Sequence, residues 1–157
     1  MKKLIASIVI LLGIIVALPR NAPADEIDSF HFYFKSGMVT KSDLSFSRLY
    51  WTIGADYDFN LVPFVMLTPE LDFYFNGLDF SDFWIVPGAT LNLRYGGWYA
   101  GVGVVKYLHV GDLNTMPTEA AIKINVGYKW ERFKLQLFYL DKYGSTSGLG
   151  FALCFPF

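Results

Sequence analysis

The stretch from Ser147 to Phe157 constrains the fold of this chain more than any other. Its odd positions after Ser147 are Leu149, Phe151, Leu153, Phe155 and Phe157, and its even positions are Gly148, Gly150, Ala152, Cys154 and Pro156. Large apolar groups alternate with small residues at period two, which is the signature of a β-strand. A strand with bulk on one side and almost no volume on the other suits a wall with lipid outside and a narrow lumen inside.

The rest of the chain repeats that grammar. Strands are expected at about Phe30 to Met38, Arg48 to Phe59, Val62 to Phe75, Phe83 to Tyr95, Trp98 to His109, Ala120 to Trp130, Phe133 to Asp141 and Gly148 to Phe157. Their even number suits a closed antiparallel barrel with both ends on one side. The connections alternate in length. Asn60-Leu61, Gly96-Gly97 and Glu131-Arg132 are tight, whereas Val39 to Ser47, Asn76 to Asp82, Val110 to Glu119 and Lys142 to Ser147 are longer. Short periplasmic turns and longer outer loops are the asymmetry of outer-membrane barrels.

The same alternation could build a soluble barrel with its apolar face inward. Volume argues against it: Trp51, Phe73, Phe83, Trp98, Trp130 and Phe151 are among the residues that would crowd an interior only just wide enough for ordinary side chains. The polar face instead carries Gly54, Gly88, Gly101, Gly103, Gly127, Gly148 and Gly150, which leave room where opposite walls approach. Tyr57, Phe59, Tyr95, Trp98, Trp130 and Phe133 flank the three short turns, where amphipathic rings meet lipid headgroups. Lys106, on the apolar face of the fifth strand, can snorkel to the outer interface.

The other apolar run, Leu4 to Pro19, follows Lys2 and Lys3 and precedes Ala22-Pro23-Ala24. That is the layout of a secretory signal peptide, so residues 1–24 are expected to be removed and 25–157 to form the barrel domain. Of 13 basic and 14 acidic residues in the chain, Lys2, Lys3 and Arg20 would leave with the signal, giving 10 against 14 and a net charge of −4. No clustered positive charge suggests nucleic acid. The single cysteine, Cys154, has no partner for an internal disulfide and lies far from any lipoprotein position.

A membrane barrel puts Arg48, Asp56, Asp58, Glu70, Asp72, Arg94, Lys123, Lys129 and Lys134 inside, with Asn125 and Gln136. Buried charges persist when paired. With two-residue hairpins Thr52 would face Glu70 and Arg48 would lie diagonal to Asp72, while Arg94, Lys129 and Lys134 share one end with Asp56 and Asp58. An ion-pair network that fills and closes the lumen is the expectation, and ion permeation the alternative.

A signal ending Ala22-Pro23-Ala24, eight alternating strands, tight even-numbered turns and a final aromatic Phe157 resemble the small outer-membrane barrel superfamily that includes outer-membrane proteins A and X. The resemblance lies in architecture and spans residues 25–157. It implies an all-β fold, an eight-stranded antiparallel up-and-down transmembrane β-barrel in the bacterial outer membrane. It also implies contact with outer-membrane lipids including lipopolysaccharide, and recognition of Phe157 by the barrel-assembly machinery. No counterpart is expected of the peptidoglycan-binding domain that follows the barrel in protein A, and the longer loops are modest for an adhesin of the protein X kind. Closure removes free strand edges, so a monomer is expected, with no cofactor and no metal.

Similar barrels include lipid A acyl-modifying enzymes, which use a rim histidine with a serine and an acid. The candidates here are His109, Asp112 and the loop serines Ser42, Ser45, Ser47, Ser145 and Ser147. The serine two residues after the histidine in the deacylase-like pattern is replaced by Gly111. His31, the other histidine, sits at the opposite end. Pro69 and Pro87 fall mid-strand on the third and fourth strands and cannot donate to the ladder. By resemblance to the palmitoyltransferase they could mark a lateral gate for lipid chains; bulges that help the barrel curve are the simpler expectation.

Overall fold

A computed structural model describes residues 32–43, 49–76, 79–110, 120–143 and 146–157, with backbone only for 79–82 and 143. Ten strands are present: β1 Phe32–Lys41, β2 Tyr50–Tyr57, β3 Phe59–Val62, β4 Val65–Asn76, β5 Asp79–Tyr95, β6 Trp98–Lys106, β7 Leu108–Val110, β8 Ala120–Lys129, β9 Lys134–Tyr143 and β10 Thr146–Pro156. They pair antiparallel in the order β3-β4-β2-β1-β10-β9-β8-β6-β5-β7, and the β4–β5 pairing closes the ring. Since β2 with β3, and β6 with β7, each form one stave, the fold is a closed eight-stranded antiparallel transmembrane β-barrel. The first and last staves meet over Tyr33↔Pro156 to Lys41↔Gly148. The Phe157 N–H also donates to the Phe32 carbonyl at 3.1 Å.

The two divided staves have one cause. Asp56↔Glu70 and Phe59↔Leu67 keep a common register, so the break at Tyr57 and Asp58 falls opposite Pro69 and Thr68. Likewise Gly88↔Val105 and Ile85↔Leu108 share a register whose break, at Lys106 and Tyr107, falls opposite Pro87 and Val86. Each proline lacks an N–H on the side facing the divided stave. Between the prolines the ladder is unbroken from Val65↔Leu93 to Phe75↔Phe83, through Pro69↔Ala89 and Leu71↔Pro87. A gap between the third and fourth strands, on which a lateral gate at Pro69 and Pro87 depended, is therefore not formed. The interruptions lie on the outer flanks of that hairpin instead.

Two turns sit where the sequence suggests. Gly96 and Gly97 connect Tyr95↔Trp98, with Gly96 at φ +55°, a conformation that glycine adopts without a Cβ clash. Trp130 N–H to Phe133 O at 2.8 Å closes the turn at Glu131 and Arg132. The first turn differs. Asn60 and Leu61 belong to β3, and the turn is at Pro63 and Phe64. Proline's fixed φ suits a turn and its missing N–H spoils a ladder, so the hairpin reverses there. Thr52 accordingly faces Tyr74 rather than Glu70, which stands opposite Asp56. The expected loop from Asn76 to Asp82 also shrinks, because β5 begins at Asp79 after a register shift.

Side chains divide by parity. Outside, Trp51, Ile53, Leu91, Val102, Ile122 and Leu137 present an apolar band. At the short-turn end it meets an aromatic belt in which Trp130 stacks on Phe133 at 4.6 Å and Trp98 packs edge-on to Tyr128 at 5.0 Å. Phe157 is 90% exposed and lies beside Phe32 in the same belt. Inside, small residues admit large neighbours: a Cβ at Gly54 would collide with the Asp72 side chain, and one at Gly150 with the Phe138 ring.

Candidate functional site in the barrel lumen

The inward residues form two ionic layers and an apolar one. In the middle of the barrel the Glu70 carboxylate on β4 accepts from Lys35 Nζ on β1 at 2.5 Å and from Lys123 Nζ on β8 at 2.6 and 2.7 Å. Lys35 also lies 2.8 Å from Asp72 Oδ1. That contact is an ion pair without hydrogen-bond geometry, since Asp72 Oδ1 has no hydrogen-bond partner. Around the ring these three staves are two or three strands apart, so the cluster is a strut across the lumen and not a neighbour-to-neighbour pair. Lys123 is wholly buried and Lys35 is 1% exposed.

A second strut lies towards the short turns. Lys134 on β9 donates to Asp56 Oδ1 at 2.9 Å and to both Asp58 oxygens at 3.2 Å, again from across the ring. Its ammonium also sits over the rings of Tyr33 at 4.1 Å and Tyr99 at 5.7 Å, cation–π contacts that offset part of the desolvation. Thr68 donates to Asp58 Oδ1 at 2.9 Å and accepts from Asn92 Nδ2 at 3.0 Å. Arg94 reaches Asn60 Oδ1 at 3.5 Å near the mouth. Thus Glu70, Asp72 and Lys123 share one strut and Asp56 belongs to the other, all inside the lumen as their parity suggests, while Arg94 stands at its end. Arg48 lies outside the described residues.

Towards the long loops the lumen turns apolar. Val39, Tyr74, Val86, Val105, Tyr107, Ala121, Phe138 and Leu140 pack into one cluster with partly buried Tyr50 and Trp84. Val39, Val86 and Leu140 have no exposed surface. The Tyr107 hydroxyl donates to the Lys142 carbonyl at 3.0 Å, satisfying its polar tip at the edge of the layer.

Lys35 is the participant that the sequence reasoning passed over. A usable signal was present: Tyr33, Lys35, Gly37 and Val39 share one parity against Phe32, Phe34 and Ser36. His109 pairs with Trp84 in register and its ring lies 4.7 Å from the Trp84 ring. Ser42 and Ser147 instead bond each other, Oγ to Oγ at 2.5 Å, at the β1–β10 seam. That seam is three staves from His109, and at about 4.8 Å per strand it is beyond hydrogen-bond reach. Asp112, Ser45, Ser47 and Ser145 lie outside the described residues. Among the described residues no group of three His, Cys, Asp or Glu side chains could hold a metal ion.

No protein-family model and no curated protein matches the sequence. Solved structures do resemble the fold. One from a study of de novo designed transmembrane β-barrels covers 84% of this chain and 99% of its own, at 10% identity and a TM-score of 0.59. A second de novo design, solved by NMR in solution, covers 88% of this chain and 98% of its own at 17% identity and a TM-score of 0.51. Neisserial surface protein A aligns over 80% of this chain and 97% of its own, at 15% identity and a TM-score of 0.43.

Proposed function

We propose that this chain is a bacterial outer-membrane barrel with a closed, charge-paired lumen, acting as a structural or surface-interaction protein. The observation that carries this is the Lys35–Glu70–Lys123 strut, which places three buried charged groups from three sides of the ring in direct contact. A water-filled pore would let such groups stand apart in solvent. The short-turn end faces the periplasm, because the signal-like segment before residue 25 delivers the chain from that side and the tight turns lie there. Lipopolysaccharide and other outer-membrane lipids cover the apolar band, Phe157 is the residue that assembly machinery reads, and the protein is a monomer.

Cell fractionation combined with mass spectrometry tests the proposal. The mature chain is expected in the outer membrane, beginning at Asp25, and migrating on gels in a heat-modifiable manner. Recovery from the cytoplasmic membrane with residues 1–24 retained would contradict it. Lipid A mass spectra from the same cells should be unchanged by the protein and by His109→Ala; an acyl change that disappears in the variant would establish the enzymatic alternative.

A further inference from the structure

Between the two ionic struts, three buried amides face one another along one wall. Asn92 on β5, Gly101 on β6 and Asn125 on β8 stand side by side in register. Gln136 on β9 is the diagonal neighbour of Asn125, since Asn125 pairs with Phe138 and Gly127 with Gln136. Asn92 is 1% exposed, and Asn125 and Gln136 are each 2% exposed. Asn92 Oδ1, both side-chain polar atoms of Asn125 and Gln136 Oε1 have no hydrogen-bond partner among the described residues.

The orientation of Asn92 is dictated by the charges below it. Asp58 accepts from the Thr68 hydroxyl, so that oxygen is left to accept from Asn92, which must present its NH2 there. The Asn92 amide oxygen therefore points the other way, over Gly101, where a Cβ would strike it. It is aimed along the row towards Asn125. Glycine at position 101 opens the space between the two amides. A buried polar atom left unmet is costly, so these four atoms along the row call for partners.

We infer that Asn92, Asn125 and Gln136 form a binding site for water held inside the barrel between the struts. Water fits the donor set because it can accept from Asn125 Nδ2 and donate to the three amide oxygens, whereas a cation could not satisfy the NH2 group. A water has two hydrogens to donate, so the three amide oxygens call for two molecules, one of which also accepts from Asn125 Nδ2. The site rests on the closed-lumen proposal, because the apolar layer above and the Lys134 strut below keep such water from exchanging freely.

The test is water-to-amide cross-relaxation by NMR on the refolded 25–157 barrel in detergent micelles, with Asn125→Leu and Gln136→Met beside it. The Asn125 NH2 protons should show cross-peaks to water of the sign that marks a long-held molecule. Gln136→Met should weaken these peaks while the backbone spectrum persists, and Asn125→Leu should leave no water peak at that level. No cross-peak in the wild-type protein would overturn the water site and leave the closed lumen standing. Cross-peaks of freely exchanging water would overturn both. A shift of the Asn125 signals when sodium replaces choline in the buffer would assign the site to a cation and refute the inference.

Discussion

From its short-turn end to its long-loop end the lumen changes from ionic to apolar. At one level Lys134 holds Asp56 and Asp58, and at the next Glu70 holds Lys35 and Lys123. Above them Val39, Tyr74, Val86, Tyr107 and Leu140 fill the same cross-section by packing. Both fillings leave residues with almost no exposed surface, but they respond differently to damage. An ionic strut is all or nothing, because removing one partner strands charge in a low-dielectric interior. An apolar layer loses stability in proportion to the volume removed, because its neighbours can partly collapse.

That contrast is open to direct attack. Glu70→Ala strands Lys123 and leaves Lys35 with Asp72 alone, and is expected to cost about 3–5 kcal/mol, measured as a fall in the urea midpoint of the micelle-bound protein. Leu140→Ala, in the apolar layer, should cost about 2–4 kcal/mol in the same measurement. If Glu70→Ala proved as mild as a surface change, the strut would not be holding the lumen together. Tyr107→Phe deletes the hydroxyl bonded to the Lys142 carbonyl and should cost about 1 kcal/mol while leaving packing intact. The sharpest comparison replaces the whole cluster: Lys35→Met, Glu70→Leu, Asp72→Leu and Lys123→Met together should fall within about 1 kcal/mol of wild type, far milder than Glu70→Ala alone. A quadruple variant as unstable as the single one would show that shape rather than charge pairing governs this level.

The fold was legible because period-two alternation and turn chemistry are local properties. The Ser147–Phe157 pattern, Gly96-Gly97 and the aromatic residues at the short turns each specify their element without help from the rest of the chain. Register was less legible. Asn60-Leu61 and Pro63-Phe64 are both plausible turns, and moving from one to the other shifts every partner across the hairpin, which is why Glu70 meets Asp56 and not Thr52. The divided staves depend on which side of Pro69 and Pro87 the missing N–H faces, and that is fixed only once register is known. The cross-lumen contacts were least legible of all. Lys35 and Glu70 are 35 residues apart, Lys123 and Glu70 53 apart, and their meeting depends on closure of the whole ring. Parity announces that these residues point inward; it does not say which will touch.

Planar-bilayer conductance of the refolded 25–157 barrel, with Glu70→Ala and Lys123→Ala alongside, tests the closed lumen most directly. The struts and the apolar layer predict a silent wild-type protein in a demonstrably folded, heat-modifiable state. Stable single-channel steps in the wild type, with an ion selectivity that changes when Glu70 or Lys123 is removed, would contradict closure and make the charged lumen a conduction path.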